Sequence, residues 1–172
     1  MVGIVTTGAV AITAQVFAYR REGATRQHAE RLQVSAEART ILDSALATAY
    51  EAIAALDGYA GALGRLSAHS PGSSAQVESA EAEANAVAAK LRLDASRLIV
   101  RFGPEDIIYA SYASALLAYF DHLTQNTNFR RNLGREPAGR EPDLCPADTR
   151  HLQRLVFDFA AHAHEWATRV RR

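Results

Sequence analysis

Cysteine is almost missing from this 172-residue chain: Cys145 is the only one, which excludes an internal disulfide and a cysteine-built metal site. Net charge is missing too. Nineteen basic side chains balance nineteen acidic ones, so the field that draws proteins to nucleic acid is absent and no nucleic-acid partner is expected. Lysine is nearly absent, with Lys90 the only one, and aromatic residues are scarce. No run of four or more β-branched residues alternates with polar ones, which argues against a strand-built fold.

Signatures of chemistry are lacking as well. There is no G-x-S-x-G, no P-loop, no H-E-x-x-H and no dinucleotide fingerprint. His162 and His164 stand two apart, so on a helix they point about 200° apart and cannot share one ion. Asp158 and His162 do share a face, but two ligands are too few, and the Glu-x-x-His repeats of di-iron bundles are absent. Ser70, Ser73 and Ser74 sit in a turn, where capping accounts for them. Cys145 has no histidine or second cysteine beside it to make it a nucleophile. The expectation is a chain with no catalytic, cofactor-binding or metal-ligating residues, no small-molecule substrate and no enzymatic activity.

What the chain has in abundance is alanine, about a fifth of all residues, and alanine favours helix because it loses no side-chain entropy there. From Val2 to Tyr19 no residue is charged, and Arg20 and Arg21 follow at once. As a helix this segment is about 27 Å long against a hydrocarbon core of about 30 Å. Thr6, Thr7, Thr13 and Gln15 dilute its hydropathy to the border for a spanning helix. A cleaved signal peptide would want positive charge ahead of the apolar stretch, where only Met1 stands. A buried or partner-binding helix is the second alternative. A single-pass anchor matches the flanking arginines, which the positive-inside rule holds in the cytoplasm. Its abrupt opening is also what an initiator placed late would leave. Thr7, Ala11, Ala14 and Ala18 line one face at the spacing that lets membrane helices self-associate.

Residues 20–40 keep helical composition but lose the apolar stripe, as a solvated stalk does. From there the sequence predicts a bundle over 41–172. The first seam is Leu42, Leu46, Ala49, Ile53, Leu56, Ala60 and Leu63, with Gly58, Gly61 and Gly64 beside it, where another backbone has room to approach. Residues 69–74 turn the chain, and Ser73 with Gln76 offers a capping box. The second seam is Val77, Ala80, Ala84, Val87, Leu91, Ala95, Leu98 and Phe102. Gly103 stops that helix and Pro104 opens the third, whose seam is Ile108, Tyr112, Ala115, Tyr119 and Leu123. Tyr109, Leu116 and Phe120 flank it. Residues 131–147 read as one long loop, either disordered or a recognition element. Asp148 caps the last helix, with Leu152, Leu155, Phe159, Ala163, Trp166 and Val170 inward. Matched lengths and short turns predict an antiparallel up-down-up-down bundle.

The tyrosines at 109, 112 and 119 read as core with their hydroxyls at the rim, and alternatively as a ligand-stacking groove. The GAVAITAQVFAYRR anchor and flank, and the LIVRFGPED junction, resemble a broad group of membrane-anchored helical proteins of actinobacteria. The Arg-for-Lys bias and alanine excess fit the high-GC coding of such a source. In architecture alone the chain is also similar to small membrane proteins of mycelial actinobacterial plasmids that assist plasmid spread. Overall the expectation is an all-α chain with anchor 1–19, stalk 20–40 and bundle 41–172, the bundle facing the cytoplasm. Two functions stay open. One is a membrane-tethered interaction or scaffolding protein with a protein partner or a second copy of itself. The other is a cytosolic ligand-binding or sensory bundle whose first helix packs on a protein partner.

Overall fold

The computed structural model describes the backbone of residues 3–67, 73–133 and 148–170, and the side chains of 25–67, 74–133 and 148–170. Among the described residues the chain forms four helices and no strand: α1 (Gly3–Ser67), α2 (Ser73–Phe102), α3 (Ile107–Leu133) and α4 (Arg150–Arg169). The all-helical architecture expected from alanine content and seam period is what is observed.

Two compact units divide between Arg39 and Thr40. In the first, residues 25–34 are all exposed, including Leu32 and Val34. Local bonds of the helical kind link Gln33 to Glu37 (3.1 Å) and Ser35 to the Leu32 carbonyl (2.9 Å). No helix among the described residues is long and apolar enough to cross a membrane. The side chains of 2–19, the segment expected to do so, lie outside the described residues.

The second unit, Thr40–Arg172, has a core drawn from all four helices. Helix α1 enters it with Leu42, Ala45, Ala49, Ala52, Leu56, Tyr59 and Leu63, a strict three-and-four spacing. The seam is rotated slightly from the expected one: Leu46, Ile53 and Ala60 are half-buried at its border, and Ala45, Ala52 and Tyr59 take the centre. Interhelical distance depends on the side chains at the contact, so alanines belong where helices approach closest and larger groups fill the flanking grooves. Gly58, Gly61 and Gly64 lie on the exposed side of α1. A Cβ added at Gly58 or Gly64 meets nothing within 4 Å, so the close backbone approach expected there is not made by any described residue.

Side-chain pairs fix the directions. Lys90 meets Glu51 and Arg65 meets Gln76, so α2 runs opposite to α1. Tyr112 and Tyr119 reach the Leu91 and Ala84 carbonyls, so α3 runs opposite to α2. Tyr50 contacts Phe157 and Thr149 bonds Asp57, which sets α4 against α1 in the opposite sense.

Between α2 and α3 the chain turns at Gly103, whose φ of 90° is a left-handed conformation that other residues adopt only with strain. Pro104 does not open α3 as expected. The helix starts at Ile107, because Asp106 supplies the cap: its Oδ1 accepts the Ile108 N–H at 2.8 Å and its carbonyl accepts the Ala110 N–H. Helix α3 also runs further than expected, through Leu133, since Asn126 and Phe129 continue its buried face. Residues 131–133 therefore belong to the helix, and 134–147 with Cys145 lie outside the described residues. In α4, Leu152, Val156, Phe159 and Ala163 are buried, Leu155 and Trp166 are half-buried, and Val170 is exposed rather than in the seam.

Candidate interaction surface

The polar groups inside the bundle tie helices to one another. Asp94 of α2, 2 % exposed, sits in the seam beside Ala95. Its carboxylate accepts from the hydroxyls of Thr48 (2.7 Å) and Ser44 (3.3 Å) on α1, and from the guanidinium of Arg97 (3.3 Å). Nothing in the apolar period announced it: an aspartate at a seam position reads as an interruption until α1 supplies two hydroxyls opposite.

The tyrosine reading holds for position and needs correcting for the hydroxyls. Tyr112 and Tyr119 are fully buried, and Tyr109 flanks the core. Their hydroxyls are not at the rim: Tyr119 donates to the Ala84 carbonyl at 2.6 Å and Tyr112 to the Leu91 carbonyl at 3.4 Å. Burial pushes both phenols well above their ordinary range, with nearby carboxylates adding to the shift. Phe159 packs edge-on against Tyr112 at 4.9 Å between centroids.

A third cluster joins α1, α2 and α3. Arg130 is paired with Glu81 and lies 3.6 Å from Glu78. The Tyr59 hydroxyl is buried beside Glu81 and Thr127 outside strict hydrogen-bond geometry, and burial raises its pKa. The N-cap of α4 is Thr149 rather than the expected Asp148, because the Thr149 carbonyl accepts the first helical N–H, from Gln153; Asp148, one residue earlier, accepts the Arg150 N–H at 3.0 Å and pairs with that guanidinium. Thr149 instead donates to Asp57 at 2.6 Å, pinning α4 to α1. Gln76 accepts from Arg65 at 3.4 Å, while the Ser73 side chain of the expected capping box lies outside the described residues.

The histidines are dispersed. His162 is half-buried, whereas His164 and Asp158 are exposed. No group of three or more metal-ligating side chains occurs among the described residues. His122 of α3 is half-buried, with both ring nitrogens buried and unpaired. Desolvation lowers its pKa, with His151 adding to the shift and Asp121 and Asp148 opposing it.

The outer side of α2 carries an unusual line. Buried residues of α2 centre on Ala84, Val87, Leu91, Ala95 and Leu98. Diametrically opposite run Ala82, Ala86, Ala89, Leu93, Ser96 and Val100, all exposed and none charged. Leu93 is 52 % and Val100 is 86 % exposed. A solvated helix ordinarily carries its charges along its outermost line. Here they are displaced to the two borders: Glu83, Lys90 and Arg97 on one, Glu78 and Arg92 on the other. Sequence reading missed this second stripe because the buried seam on the same helix has the same period.

No family model, no curated protein and no solved structure matches the chain.

Proposed function

We propose that the chain is a membrane-tethered helical interaction or scaffolding protein, held by residues 2–19 and presenting its bundle to the cytoplasm. The observation that carries the interaction half is the uncharged outer line of α2, with Leu93 and Val100 standing in water. The tether half rests on sequence: 18 uncharged residues followed directly by Arg20 and Arg21. The likeness to plasmid-spread membrane proteins suggests an accessory role on a mobile element as its setting.

Fractionation tests the tether. The full chain should stay with membranes through a carbonate wash, and Val10→Arg with Ile12→Arg should release it, each central charge costing about 2.5–3.5 kcal/mol of insertion. A wild-type chain found in the soluble fraction would replace this reading with a cytosolic bundle whose first helix packs on protein, as Thr6, Thr7, Thr13 and Gln15 would then favour.

A further inference from the structure

The outer line of α2 carries an occupant in its own charges. Ala82, Ala86, Ala89, Leu93, Ser96 and Val100 repeat at four and three, the period of a helix that packs along a second helix rather than facing water. Small side chains at most of these positions let two such helices come close. In helix pairs of this kind the residues bordering the seam select partner and orientation. The orientation is decided by which charges those borders bring together.

We propose that α2 pairs through this face with α2 of a second copy of the chain, the two helices antiparallel. Parallel pairing sets like against like: Glu78 of one copy faces Glu83 of the other, and Arg92 faces Arg97. Antiparallel pairing sets Glu83 against the other copy's Arg97, and symmetry makes the pair twice. It also stacks Ala89 on Leu93 and Ala82 on Val100 across the interface. Like charges then meet at the centre, Lys90 on Lys90 and Arg92 on Arg92, once each against the two Glu83–Arg97 pairs. Lys90 is bonded to Glu51 at 2.6 Å, and the Arg92 guanidinium lies over the Phe120 ring at 4.5 Å. Arg97, half exposed, pairs with Asp94 through one nitrogen at 3.3 Å and has further guanidinium donors beyond that contact. The two-fold arrangement is the self-complementary kind that closes at two copies.

The proposal names the partner for the interaction reading above, and it does not depend on the tether. The test uses the full chain in mild detergent with Cys145→Ser as background. Ala82→Cys combined with Val100→Cys should yield a covalent dimer with a short bis-maleimide, while either substitution alone should yield none. The two positions are about 27 Å apart within one helix, so the reagent cannot join them inside one copy. Leu93→Glu added to the two cysteines should abolish the cross-link, and Leu93→Glu or Val100→Glu made without them should abolish the dimer mass seen by light scattering, with helicity unchanged. Leu117→Glu, an equally exposed site on α3, should leave both intact. A monomeric wild type with no cross-link would overturn the proposal, including where a different protein is found on the face. Cross-linking by Ala82→Cys alone would overturn the antiparallel arrangement, and loss of the dimer with Leu117→Glu would move the interface elsewhere. Membrane association is read separately, so a soluble wild type that still cross-links would refute the tether alone.

Discussion

Two buried tyrosines in one core differ in what their hydroxyls meet. Burying either ring stabilises the fold, and the hydroxyl then adds or subtracts according to its partner. Tyr119 donates to the Ala84 carbonyl at 2.6 Å, whereas the buried Tyr59 hydroxyl lies beside Thr127 and Glu81 outside strict hydrogen-bond geometry. A made bond contributes about 0.5–1.5 kcal/mol net and an unpaired buried polar atom costs about 1–3 kcal/mol. Tyr119→Phe should therefore lower stability by about 1 kcal/mol in urea unfolding, and Tyr59→Phe should leave it unchanged or raise it. Equal losses for both would show that the Tyr59 hydroxyl has a partner. His122 adds a pH dependence of known sign. Its folded pKa lies below the ordinary value of 6.5, so the unfolded chain takes up the proton first. Its contribution is whole above pH 6.5 and is lost as the pH falls from there toward the folded pKa. Unfolding midpoints at pH 7.5 and 5.5 should differ more for the wild type than for His122→Gln; equal differences would clear His122 of any part in the acid sensitivity.

At the scale of helices, the sequence located four elements and erred at their ends and in their rotation, for physical reasons that differ. Hydrophobic period finds the face of a helix, but in an alanine-rich helix it is degenerate: the 42-46-49-53 and 42-45-49-52 readings both look apolar. Only the packing of neighbours chose the second. Tyr59 was missed because Ala60 satisfied the pattern next door, and Pro104 misled because proline suits a first turn while Asp106 two residues later makes the actual cap. Asp94 was illegible from α2 alone, since its partners Thr48 and Ser44 belong to α1. The glycines give a test at this scale. Gly58 and Gly64 are interior to α1, exposed, with open space around an added Cβ, so alanine there should stabilise by about 0.5–1 kcal/mol each. Gly103 has equally open space but a φ of +90°, so Gly103→Ala should destabilise by about 1 kcal/mol or more. Destabilisation by Gly58→Ala would reveal a backbone contact at that face.

For the whole molecule, the question is whether the bundle is autonomous. Its contiguous core begins at Leu42 and ends at Ala163, and of residues 25–39 only Ala38 is buried. Its cross-helix ties are drawn from the same stretch: Ser44 and Thr48 to Asp94, Glu51 to Lys90, Asp57 to Thr149, and Glu81 to Arg130. Residues 25–34, by contrast, are exposed throughout and offer no apolar face to bury. Helical stability in a domain comes chiefly from packing rather than propensity, so removing a segment whose one buried side chain is the small Ala38 leaves the packed part with nearly all that holds it. A fragment spanning 40–172 should therefore be strongly helical and unfold cooperatively, with a urea midpoint close to that of the full chain. The outer line of α2 lies wholly inside that fragment, so the fragment should also retain the Ala82→Cys with Val100→Cys cross-link. A fragment that unfolds non-cooperatively, or at a clearly lower midpoint, would mean that residues before Thr40 supply part of the core and that the bundle begins earlier in the chain.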